Sequence, residues 1–127
     1  MNLPEFTTPE LVGIPIKQVS TFYSVAAQYN GRKLLCHVVN GHPATLCVID
    51  LETNEIIFQT SLIGAESAWR LILHQDKVFI AGTGDSGQPG HLFAYSRADG
   101  KFEEFGPVCS GEKFLWSMAT DGDRYIY

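Results

Sequence analysis
Apolar residues fall in short runs along this chain, separated by turns rich in Gly, Asn, Asp and Pro instead of continuing at helical spacing. Leu34-Leu35-Cys36, Leu46-Cys47-Val48-Ile49, Val78-Phe79-Ile80 and Leu92-Phe93-Ala94-Tyr95 are such runs. Their length and bounding residues predict β-strands. Asn30-Gly31, Gln75-Asp76 and Asp121-Gly122-Asp123 separate neighbouring runs. Asn-Gly and Asp-Gly favour hairpins because both central positions tolerate positive φ. The pattern predicts strands over 23–27, 44–50 and 55–62, then over 69–73, 91–96 and 101–105, with further strands on the runs after Lys33 and Lys77. Only 61–73 approaches helical spacing. Its counterpart 106–118 contains Pro107 and Gly111, so a loop followed by a strand is expected there.

The runs also repeat. Tyr23, Trp69 and Trp116 open similar segments spaced 46 and then 47 residues apart. Eight residues after each Trp stands a cation, Lys77 or Arg124, followed by an apolar run. Lys33 takes that place in the first copy, after a turn two residues longer. Gly41-His42-Pro43 matches Gly87-Gln88-Pro89 at a distance of 46. Such a period, built from short strands, marks units that bury their faces against neighbours. Four antiparallel strands per unit make the blade of a β-propeller.

The expected fold is therefore all-β, a propeller fragment of about two and a half four-stranded antiparallel blades. Residues 1–18 are expected to carry an edge strand of a preceding blade, over 9–16, where Pro9 and Pro15 suit an edge. Residues 19–64 form the first blade, 65–111 the second, and 112–127 begin a third, with a strand over 116–120. A ring takes about 4 to 8 blades. These residues are thus expected to be the N-terminal part of a longer protein, and open blade edges favour self-association.

Composition narrows the partners. A net charge of −5 with scattered cations lacks the basic face that nucleic acid requires. No apolar stretch is long enough to span a membrane, and no signal-like N-terminus is visible, so a cytoplasmic location is expected. Cys36, Cys47 and Cys109 have neither disulfide nor zinc spacing and are read as buried, reduced thiols.

Val48-Ile49-Asp50-Leu51-Glu52-Thr53-Asn54-Glu55-Ile56 resembles quinoprotein-like and YVTN-like propeller repeats, which end the third strand in Asp and turn through Thr-Gly. Asn54 stands where those repeats have Gly. The segment 114–127, with Trp116-Ser117-Met118-Ala119, Asp121-Gly122 and a Tyr-rich second strand, is similar to propellers of some polysaccharide lyases. That resemblance implies a protein that binds, and cleaves by elimination, an acidic polysaccharide at the propeller mouth. The alternative is a non-catalytic scaffold for ligand or protein interaction. Neither reading implies a cofactor.

A propeller mouth is built from the loops joining fourth to first and second to third strands. Those loops are expected over 63–68, 108–114, 39–44 and 83–90, where the chemistry-bearing residues are His42, Glu66, Arg70, His91, Glu112 and Lys113. His42 is the candidate catalytic base, since imidazole titrates near neutrality. Arg70 is the position where the innermost strands differ by a charge, and a guanidinium suits a uronate carboxylate. His91, Glu66 and Lys113 complete the ligand-binding candidates. Tyr23, Trp69 and Trp116 are expected in the core between blades, and Asp50, Asp99, Asp121 and Asp123 as turn formers. No metal set is visible in the residue spacing, and the 127 residues alone are expected to be inactive.

Overall fold
The computed structural model describes residues 20–127, and the edge strand expected over 9–16 lies outside them. The chain is all-β. β1 (Ser24–Tyr29), β2 (Arg32–Val39), β3 (Ala44–Asp50) and β4 (Glu55–Leu62) form one four-stranded antiparallel sheet in sequence order. β5 (Ala65–His74), β6 (Lys77–Gly84), β7 (His91–Ser96) and β8 (Phe102–Pro107) form a second with the same order. A single 3₁₀ turn, Asp85–Gly87, is the only helical element among the described residues.

The local chemistry of the hairpins fixes the register. Asn30 and Gly31 both hold positive φ and join Tyr29 to Arg32. Gln75 (φ 54°) begins the equivalent turn between His74 and Lys77. Ala27 pairs with Leu34 in the first sheet and Leu73 with Val78 in the second. Both turns are two residues long, so the delay of Lys33 comes from one extra residue in each strand of the first hairpin and not from the longer turn expected. Asp50 closes the next turn: its Oδ1 accepts from the Glu52 and Thr53 amides, and its Oδ2 from Arg32. Asn54 completes it at φ 60°, standing in for glycine. Asp99 and Asp121 work similarly, Asp121 Oδ1 taking the amides of Asp123, Arg124 and Tyr125.

The sheets stack through one apolar face of each. Leu34, Cys36, Val38, Leu46, Val48 and Leu62 of the first sheet meet Ala65, Leu71, Val78, Ile80, Phe93 and Tyr95 of the second in one buried cluster. Alternation along each strand places these residues on one side. The opposite face of the second sheet is also covered. Ile72 and Ala81, flanked by Phe79 and Leu92, pack against Met118, Leu115 and Ile126 of the C-terminal segment. Arg97 ties the far ends of the sheets together, donating to the carbonyls of Gln28, Gln75 and Asp76.

Several expectations need correction. The strand expected over 116–120 is absent; Thr120 and Ile126 form an isolated bridge, and Ala119 and Tyr127 exchange backbone hydrogen bonds. Trp116 is 63% exposed, not core, and Cys109 is exposed while Cys36 and Cys47 are buried. β5 starts at Ala65, inside the expected loop, because Ala65, Ser67 and Ala68 pair with Gly84, Thr83 and Gly82 across one bulge, with a second between Ala68 and Arg70. Small side chains and glycines let these strands approach, so pairing extends where the repeat suggested a loop.

Phe93 is fully buried at the centre of the shared core. Phe93→Ala is expected to cost about 3–5 kcal/mol in urea denaturation. The carboxyls of Asp50, Asp99 and Asp121 are held below the ordinary range, Asp50 first by Arg32, Asp121 by backbone amides, and Asp99 down to about 2 by Ser96 and Lys101. A depressed folded-state pKa contributes stability that is complete above the unfolded value and lost as pH falls through the folded one. Denaturation midpoints should therefore hold steady down to about pH 4 and drop towards pH 2, and Asp99→Asn should flatten that drop.

Candidate functional site
Meander topology sends every second connection to the same end of a sheet. The β2–β3 loop, the β4–β5 turn, the β6–β7 loop and the segment after β8 accordingly share one end of the stacked pair. Backbone hydrogen bonds lace them together: Gly41 N–H donates to Glu66 O (3.0 Å), Asp85 N–H to Gly64 O (2.9 Å), Gly84 N–H to Lys113 O (2.9 Å) and Gly90 N–H to Glu112 O (2.7 Å). Gly84 is obligatory here, since a Cβ would lie 1.8 Å from the Gln88 carbonyl oxygen.

Four side chains converge on this lattice. His42 Nδ1 donates to Asp85 Oδ1 at 2.8 Å, and Lys113 Nζ sits 2.8 Å from Glu66 Oε1. The donor atoms of His42, Glu66 and Asp85 all lie within 4.8 Å of one another. The imidazole is 71% exposed, whereas Asp85 and Glu66 are mostly covered, at 22% and 26%. His42, then Ser86, holds the Asp85 carboxyl below the usual carboxylate range. The pair thus keeps a proton on His42 Nδ1 and leaves Nε2 as the ring's other nitrogen, the arrangement of an oriented general base.

The candidates separate into two groups. His42, Glu66 and Lys113 come together at the loop-bearing end. His91 lies beside them: its ring packs on Gly64, where a Cβ would come within 2.7 Å, and its Nδ1 faces Glu104 Oε1 at 3.2 Å. Arg70 is engaged elsewhere, donating to the Tyr23 hydroxyl at 2.6 Å with its guanidinium 5.1 Å from the centre of that ring. It follows Glu66 by four residues, at most about 13 Å along an extended strand. Glu112 contributes its backbone carbonyl to the lattice. Of the remaining histidines, His37 bonds to Ser24 and His74 to Thr120, within or between strands.

Asp85 is the member that sequence reasoning missed. It stands in a glycine-rich stretch whose composition speaks of turns, and only its equivalence to the loop bearing His42 hinted at a shared end. An aromatic edge was also hidden. Phe22 stacks on Trp69 at 4.3 Å, Trp69 meets Trp116 at 5.1 Å, and Trp116 stacks on Phe114 at 4.8 Å. Phe22, Phe114 and Trp116 are exposed. Elsewhere, a groove of about 310 Å³ between Leu92, Leu115, Met118 and Ile126 is apolar, with no charged group in its lining.

Comparison with protein-family models, curated proteins and solved structures finds no match. Among the described residues, no helix is long and apolar enough to cross a membrane.

The lattice makes a direct prediction. Gly84→Ala forces the β6–β7 loop off Gln88 and should cost about 1–3 kcal/mol in denaturant unfolding. Gly87→Ala, at φ 82° but with open space around the added carbon, should cost about 1 kcal/mol. Equal losses from the two would contradict the steric account.

Proposed function
We propose that the chain is part of a β-propeller, with blades over 19–64 and 65–111 and the start of a third over 112–127, whose loop-bearing end binds an acidic oligosaccharide. The observation that carries this reading is the convergence of His42, Glu66, Asp85 and Lys113 from both sheets at one end. Lys113 offers an ammonium to a sugar carboxylate, which would compete with Glu66 for it. The exposed rings of Phe114 and Trp116 offer apolar faces for sugar stacking. Elimination needs a base for the proton next to the carboxylate, and the oriented His42 imidazole fits that role. Arg70 and His91 act in this reading as supports, through Tyr23 and Gly64.

A scaffold without chemistry is the second reading. The excess of carboxylates over cations around His42 favours it, because that charge opposes an acidic ligand. Exposed Ile56 and Ile57 on β4 and Phe105 on β8, each the last strand of its sheet, offer apolar groups for self-association.

Calorimetric titration with polygalacturonate, alginate and a neutral glucan separates the readings. The expected result is binding of the uronates alone, weakened about fivefold in Lys113→Ala, the equivalent of about 1 kcal/mol. Ultraviolet absorbance of unsaturated ends reads elimination, expected only when further blades are present and abolished by His42→Ala. Equal binding of the neutral glucan, or none of any glycan, would leave the scaffold reading.

A further inference from the structure
We infer that His42, Glu66 and Asp85 form a binding site for a divalent transition-metal ion, with zinc the best match to the donor set. The inference is independent of the glycan reading and stands on the arrangement of three side chains. One imidazole nitrogen and two carboxylates, contributed by the β2–β3 loop, the start of β5 and the turn after β6, have donor atoms within 4.8 Å of each other. Zinc bound tetrahedrally at about 2.0–2.2 Å from N and O ligands places its donors roughly 3.3 Å apart. Zinc bound at His42 Nδ1 takes the place of the proton shared with Asp85, which passes to Nε2 or to solvent; Nδ1 and Asp85 Oδ1, now 2.8 Å apart, would open slightly while the more distant donor closes in. Movements on the order of an ångström by side chains suffice, with the interlaced backbone left in place.

The chemistry of the donors selects the ion. A purely acidic cluster favours a hard cation such as calcium or magnesium, which takes oxygen ligands and more of them than are present here. An imidazole added to two carboxylates suits zinc and its neighbours instead. Charge points the same way: Lys113 offsets one of the two carboxylates, and a surplus negative charge is left for the ion to neutralise. Glu66 meets Lys113 through Oε1, so its second oxygen can turn to a metal without surrendering the lysine. The exposed imidazole gives an entry path from solvent. Three protein ligands leave a coordination position open, the pattern of zinc sites that bind water or a ligand. A metal-bound His42 is no longer a free base, so elimination through His42 and zinc binding are exclusive states of this site.

The test is calorimetric titration of the untagged chain with Zn2+ and Ca2+, in a Cys109→Ser background that removes the exposed thiol. Expected are one Zn2+ per chain, Ca2+ affinity at least about a hundredfold weaker, and a raised melting temperature with Zn2+. His42→Ala, Glu66→Gln and Asp85→Asn should each weaken Zn2+ by at least the roughly 10–100-fold that loss of an outer-shell partner costs. Circular dichroism establishes that each variant is folded, and Co2+ provides a second readout through its visible absorption in a low-coordinate site. Absence of Zn2+ binding, equal Ca2+ affinity, or undiminished Zn2+ binding in the folded Glu66→Gln and Asp85→Asn variants would overturn the assignment. Glycan binding with no Zn2+ binding would remove the metal site and leave the glycan reading standing.

Discussion
The apolar face shared by the two sheets is the contact on which the rest of the structure depends. Each sheet is a four-stranded meander with alternating side chains, and among the described residues no helix covers either. Leu46, Val48 and Leu62 on one side and Leu71, Ile80 and Phe93 on the other leave water only by meeting. Burial of this kind is favourable roughly in proportion to area, so it favours the sheets meeting through these apolar faces. The second sheet repeats the arrangement on its other side, where Met118, Leu115 and Ile126 cover Ile72 and Ala81.

That stacking has a consequence for chemistry. Two meanders packed in the same sense present corresponding loops at one end, so residues 43 positions apart, His42 and Asp85, come within 2.8 Å. The backbone lattice from Gly41, Gly84, Asp85 and Gly90 holds those loops without large apolar side chains, which leaves polar groups free to face solvent. The opposite end is held by Arg97 and the tight hairpins, with the Arg32–Asp50, Lys77–Glu103 and Lys101–Asp99 pairs beside them.

Much of this was legible beforehand. The bounds of β3, β4 and β7 follow from apolar runs closed by Asp50, by the turn at 63–64 and by Ser96, and the turns at Asn30-Gly31 and Asn54 from residues that accept positive φ. His42 and Lys113 were legible as loop residues, whereas Glu66, expected in a loop, lies at the start of β5. Trp116 was misread because a repeated position implies a repeated environment only when a full neighbouring sheet is there to bury it; here it stacks on Phe114 and faces solvent. The early start of β5 was misread because Ala65, Ser67 and Ala68 carry no apolar period, yet pair with Gly84, Thr83 and Gly82 of β6.

The sequence by itself determined the strands, the hairpins and the order of pairing, since these rest on side-chain alternation and on φ preferences that act over a few residues. Tertiary structure alone decided that Asp85 belongs with His42, that Glu66 answers Lys113, and that Arg70 turns to Tyr23. Those pairings join residues distant in the chain, and their geometry exists only once two sheets have been pressed together by an apolar face that names no partner for any polar group.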